Sequence, residues 1–300
     1  MKVVIFGNGY LGSNIYNFFK HDHEVIMISN SSVNKNDINS FLFKNLETLV
    51  DKLVDTDLLI LANGLPSEIC DNDLILGAEF NILNTIILVE KFIELHCKKI
   101  IFFSTIHVYG DTLKGNLNES LNCNPTTPYR INKLYIENIL KKQSLLNNNI
   151  SFLILRLSNV YGYINNNSVN WNLFLNYFAK NIITNNDVLI NSNGDSYRNI
   201  VHIERLCQIV NYLALNYHSN YDIINVGGDL NLTIKEYFKL LIKLIDKYNL
   251  ELIINKNDHS EYFPFIYDLS KINKILNNSI FADETNSLKK FLQQIEDDYK

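Results

Sequence analysis

The chain has 300 residues, 47% of them hydrophobic and 20% charged, with a net charge of −5. That composition suits one large α/β domain or two lobes sharing a core, and the acidic balance argues against a nucleic-acid partner. No window offers about 18 uninterrupted apolar residues, so no membrane partner is expected. The N-terminus opens directly into KVVIFG without a basic leader, which leads us to expect a cytoplasmic protein. Cys70, Cys97, Cys123 and Cys207 form no C-x-x-C pair, so they read as reduced thiols rather than zinc ligands.

In chain order, KVVIF (2–6) is a short apolar run, followed by a helical pattern with Leu11, Ile15, Phe18 and Phe19 at 3–4 spacing. EVIMIS (24–29), DLLILA (57–62), KIIFFS (99–104) and SFLILRL (151–157) repeat the apolar run, with longer helical segments at 79–96 and 128–143. Continuous apolar strands alternating with helices predict a parallel sheet covered on both faces, the Rossmann-type doubly wound α/β class. We place the first unit at 1–162. Residues 163–300 read mainly as a smaller C-terminal α/β lobe for substrate, with YDIINVGG (221–228) returning a strand to the main sheet. Asn-rich runs such as LNNNI and YINNNSVN mark loops.

Gly7, Gly9 and Gly12 stand in G-x-G-x-x-G spacing between the first strand and first helix. There they permit a tight turn, close approach of a pyrophosphate and close helix–strand packing, while the helix N-terminus faces the phosphates. The expected cofactor contacts are Gly7, Gly9, Tyr10, Leu11 and Gly12, with Ala62 at the end of the 57–62 run. A carboxylate closing the second strand would accept hydrogen bonds from the ribose of NAD. Here stand Ser29, Asn30, Ser31 and Ser32, with Lys35 nearby. Nothing repels a 2′-phosphate, so NADP(H) is favoured over NAD(H).

Tyr129 and Lys133 lie four apart in PYRINK and share a helix face. An ammonium near a phenol favours the phenolate, which leads us to expect a tyrosine pKa below its usual value near 10. Such a tyrosine exchanges a proton at a carbinol while a nicotinamide exchanges hydride. Thr105, in FFSTIHVYGD, is the hydroxyl that holds the reacting oxygen. If 103–107 is extended, His107 shares its face and looks into the same cleft.

With these motifs the sequence resembles the extended short-chain dehydrogenases/reductases, in the NAD-dependent epimerase/dehydratase group acting on nucleotide sugars. The likeness runs through NILNTIILVE, FFSTIHVYG, PYRINKLYIE, LRLSNVYG, GDSYRNIVHIERL, INVGGDLNLTIKE and YDLSKINKIL. It implies Thr105, Tyr129 and Lys133 as the catalytic trio, with Lys133 also on the cofactor. It implies Asn159, Asn172 and His107 at the substrate, and Arg198 on the nucleotide diphosphate. Its members pair helices like 79–96 and 128–143 across a homodimer.

The departures narrow the activity. The family loop is usually G-x-x-G-x-x-G, whose first glycine falls here at Phe6. Its 4,6-dehydratases carry an Asp-Glu pair where this chain has Ile106 and His107, which disfavours dehydration. Asn199 replaces the aspartate after the arginine, and the arginine often found just before D-x-S-K is missing from EYFPFIYDLSK. The resemblance thus implies a 4-ketoreductase of a 4-keto-(di)deoxy sugar nucleotide in surface-polysaccharide synthesis. The alternatives are a 4-epimerase holding NAD tightly and, remotely, a non-catalytic NADP sensor.

Overall fold

Seven strands pair side by side in the computed structural model, which describes residues 1–30, 39–277, 279–280 and 283–299. The sheet order is Tyr221–Val226, Ser151–Leu157, Lys99–Thr105, Leu58–Leu61, Lys2–Phe6, Glu24–Ser29 and Ser40–Leu42, with every pairing parallel. Alternate residues face opposite sides, yet both sides are buried. Ile101, Phe103 and Leu155 pack to one side, and Ile100, Phe102 and Ile154 to the other. The strands therefore read as unbroken apolar runs.

One side is covered by the helices Tyr10–Phe19 and Ile203–Asn216, through Ile15, Phe19, Leu206 and Val210. The other is covered by Asn84–Glu94 and Pro128–Leu146, through Leu88, Phe92, Ile136 and Leu140. The doubly wound parallel sheet expected from the sequence is thus present. The helical pattern at 79–96 resolves into a π turn, Glu79–Leu83, running into Asn84–Glu94. Strand order reverses between Lys2–Phe6 and Leu58–Leu61, opening a crevice above their carboxyl ends.

Beyond the main sheet, Asn159–Tyr161, Tyr197–His202 and Asn231–Thr233 form a small three-stranded sheet. A second core of Tyr161, Phe178, Tyr237 and Phe291 joins it to the helices Phe174–Ile183, Ile234–Leu244 and Glu284–Asp298. Thr233 and Glu236 make a reciprocal capping box that starts the helix at Ile234. Among the described residues no helix is long and apolar enough to cross a membrane, and all four cysteines are free thiols.

Candidate active site

The crevice begins at the glycine loop. Gly7 has φ +110, and a Cβ there would lie 2.7 Å from the Asn63 backbone. A Cβ on Gly12 would meet the Gly7 carbonyl at 1.7 Å, so the loop and helix touch backbone to backbone. Gly9 differs: beyond its own neighbours in the chain, no atom of the described residues lies within 4 Å of its Cβ position. Gly9 is the N-cap of Tyr10–Phe19, no side chain caps that end and no acidic residue lies in the first turn. Partial positive charge and open space coincide, which fits a pyrophosphate.

The other expected cofactor contacts are spread around this loop. Tyr10 donates its hydroxyl to Gly162 O at 2.8 Å, and Tyr10, Leu11 and Ala62 line the cleft. Ser29 is buried at the end of its strand, while Asn30 Oδ1 accepts from Asn84 Nδ2 at 3.3 Å. Ser31 and Lys35 lie outside the described residues.

Thr105 ends its strand rather than continuing it. Its Oγ1 accepts the His107 N–H at 3.3 Å, capping a 3₁₀ turn over Ile106–Tyr109. This corrects the premise that 103–107 is extended. Thr105 enters a cleft of about 250 Å³ with Tyr10, Tyr129, Lys133 and Asn159. His107 instead lines a neighbouring cavity of about 220 Å³ with Arg130 and Arg198. Burial, reinforced by those two arginines, pushes the His107 pKa down to about 3 and keeps it neutral; its buried Nδ1 has no hydrogen-bond partner among the described residues.

Tyr129 and Lys133 open the helix Pro128–Leu146, which starts on a proline at its first position. Lys133 Nζ donates to Phe103 O at 3.0 Å and Asn63 O at 3.3 Å, and lies 5.9 Å from the Tyr129 ring centre. Burial lowers the Lys133 pKa to about 8. Burial, with a smaller contribution from Cys70, raises Tyr129 to about 12. The expected acidic tyrosine is therefore corrected: desolvation sets the direction, and the hydrogen bonds of the Lys133 ammonium go to carbonyl groups rather than to the phenol.

The carbonyl of Asn63 is held in place from the π turn. Asn63 Nδ2 donates to Thr85 Oγ1 at 2.7 Å and Phe80 O at 3.2 Å, and Asn81 Oδ1 accepts Leu65 N–H at 2.6 Å. π turns of this kind recur at functional sites because they redirect a helix locally. Behind the cleft, Ser104 Oγ donates to Glu137 Oε1 at 2.5 Å. Arg156 grips the same carboxylate with two bonds of 3.1 and 2.7 Å.

Asn159 lines the cleft and donates to Asn199 O at 2.8 Å. Arg198 Nη1 donates to Tyr197 O at 2.9 Å and faces the His107 cavity. Asn172 is exposed, its N–H held by Asn170 Oδ1, and its neighbour Leu173 is the cleft residue. Sequence reading also passed over Asn63, Asn81, Ser158 and Arg130. The glycine of LANGLP was the available signal for the first two: Gly64 takes φ +146, with Lys133 Nζ and Asn81 Oδ1 close to its Cβ position.

Fold and site together put the chain among the doubly wound α/β oxidoreductases of the short-chain dehydrogenase/reductase kind. More narrowly, the profile of the NAD dependent epimerase/dehydratase family matches residues 3–227, and the chain belongs to that family. A search of curated protein sequences gives no match. Among solved structures, the UDP-N-acetylglucosamine 4-epimerase of Methanobrevibacter ruminantium M1, in complex with UDP-N-acetylmuramic acid, is 23% identical. It superposes with a TM-score of 0.83 over 99% of this chain and 98% of its own. The UDP-glucuronic acid 4-epimerase of Bacillus cereus, in complex with UDP-glucuronic acid and NAD, is 21% identical, with TM-score 0.82 over 100% of both chains. The dTDP-glucose 4,6-dehydratase of Bacillus anthracis, in complex with NAD, is 17% identical, with TM-score 0.80 over 99% and 97%.

Proposed function

We propose that the protein transfers hydride at C4 of a nucleotide-diphosphate sugar, with a nicotinamide dinucleotide as cofactor. The observation that carries this reading is the convergence of Thr105, Tyr129 and Lys133 with Leu11 and Ala62 in one cleft above the strand-order reversal. The dinucleotide, when bound, supplies a nicotinamide ring that gives or accepts the hydride. Gly9 would admit its pyrophosphate at the helix N-terminus, in a loop whose tight turn and helix packing Gly7 and Gly12 permit. Lys133 holds the nicotinamide ribose. Thr105 donates to the C4 oxygen and Tyr129 moves the proton on that oxygen.

The direction we favour is reduction of a 4-keto-(di)deoxy sugar nucleotide. Tyr129, at about 12, stays a phenol at neutral pH and so stands ready to protonate a new alkoxide. Ile106 and His107 stand where the resemblance puts the acid–base pair of a 4,6-dehydratase, which argues against expelling water across C5–C6. The absence of a carboxylate at Ser29 and Asn30 supports NADP(H) over NAD(H). The second reading is 4-epimerisation, favoured by end-to-end likeness to two solved 4-epimerases. It uses the same trio but keeps its dinucleotide bound throughout.

Chromatography of the dinucleotide released on denaturation separates the two. A protein purified empty, binding NADPH more tightly than NADH and oxidising it with 4-keto sugar nucleotides, is the expected result. Stoichiometric NAD carried through purification would replace the reductase by the epimerase.

A further inference from the structure

The C-terminal segment Glu261–Phe265 offers no arginine, although the resemblance leads one to expect a cation just before Asp268–Lys271. Glu261, Tyr262, Phe263 and Phe265 wall the 220 Å³ cavity that Arg198 and His107 also line. The same cavity contains Arg130, which follows Tyr129 directly in the helix Pro128–Leu146. Arg130 Nη1 donates to Asp111 Oδ1 at 2.5 Å, and Asp111 also accepts from Thr126. One of five guanidinium donors is thereby anchored, which aims the group while leaving others for a ligand. Arg198 is similarly tethered by a single bond to Tyr197 O. The two arginines feel each other's charge, and both bear on the neutral His107. Two carboxylates line this space. Asp111 is committed to Arg130 and Thr126, and Glu261 is exposed at the rim. Donors therefore outnumber the acceptors available to them.

We propose that Arg130 is the second guanidinium of the substrate's diphosphate site, working with Arg198. The assignment rests on the nucleotide-sugar reading above. A diphosphate presents two charged groups, and a planar fork grips each of them better than a point charge does. Because Arg130 adjoins Tyr129 on one helix, a single rigid element sets the span between the diphosphate and the proton donor. Arg130 is thus a specificity residue that measures the substrate from phosphate to C4.

Calorimetric titration of the whole protein with UDP, dTDP, GDP and CDP, each beside its monophosphate, tests this. The wild type is expected to prefer at least one diphosphate over its monophosphate. Arg130→Ala is expected to weaken that diphosphate about tenfold to a hundredfold, leaving the monophosphate and NADPH within about twofold. Arg130→Lys, which keeps the charge but not the fork, should fall between, and guards against a folding defect in the alanine variant. An alanine variant that binds diphosphate as the wild type does would overturn the role of Arg130 alone. A wild type with no preference for any diphosphate would remove the nucleotide-sugar reading, and this assignment with it.

Discussion

Tyr129 and Lys133 are pushed in opposite directions by the same desolvation, and the pair is left with its proton on the phenol and a weakened ammonium. The spacing in PYRINK revealed the pair, but no spacing reports which carbonyl groups an ammonium will find. Ketone reduction should accordingly hold steady from about pH 6 and fall as Lys133 loses its charge near pH 8. A rate still climbing between about pH 8 and 10 would mean that the phenolate is the working form, as sugar oxidation requires. Stability follows the same group. Lys133 holds its proton less tightly folded, near 8, than unfolded, near 10.5. Its burial therefore costs stability below about pH 8, and that cost fades as pH rises toward 10.5. The glycines give a second residue-level test. Gly12→Ala drives a Cβ into the Gly7 carbonyl and should lower the melting temperature as well as dinucleotide affinity. Gly9→Ala meets no atom of the described residues beyond its chain neighbours and should lower the melt only slightly, by the weaker cap, while weakening the dinucleotide. Equal losses of stability in both variants would mean that Gly9 serves packing rather than the cofactor.

Among the elements, the strand Lys99–Thr105 was legible because both of its faces are buried, so its apolar run is unbroken. Where it stops was not. Thr105 turns the chain by accepting a backbone N–H, a local choice that competes with one more extended residue. For the same reason His107 lines the cavity beside the Thr105 cleft rather than the cleft itself. The edge strand Ser40–Leu42 left no signal, being three half-buried residues long. The helix Pro128–Leu146 owes its position to a buried ion pair as well as to its apolar face, for Glu137 and Arg156 are only 2% and 3% exposed. Arg156→Met leaves the carboxylate with Ser104 as its remaining partner and should cost about 3–5 kcal/mol in urea unfolding. The double variant Glu137→Met/Arg156→Met should recover much of that loss. If it is no more stable than Arg156→Met alone, packing rather than charge dominates the site.

For the molecule as a whole, the class of fold could be read from alternating strands and helices, while the helix Ile203–Asn216 could not be placed by pattern alone. It returns from beyond the small sheet to cover the first face. The outer surfaces carry a further expectation. Leu83 and Ile87, and Ile131 and Tyr135, are each four apart and between 40% and 53% exposed, on helices packed against the same side of the sheet. We propose that they meet a second copy of the chain, as the resemblance implies. Light scattering should give the mass of a dimer, and Ile131→Glu should halve it. A wild-type monomer at micromolar concentration would refute the pairing.

The sheet order has a consequence for how the chain is made. Its outermost strand on one edge, Tyr221–Val226, is separated from its neighbour Ser151–Leu157 by a stretch that includes two strands of the small sheet, Asn159–Tyr161 and Tyr197–His202. During synthesis, Ser151–Leu157 must wait with one row of backbone groups unpaired while more than sixty residues are translated. At roughly 5–20 residues per second that wait lasts several seconds, long enough for edge-to-edge association between nascent chains. Yield in a host cell should therefore respond to translation speed and chaperone supply between residues 157 and 226 more than anywhere else in the gene.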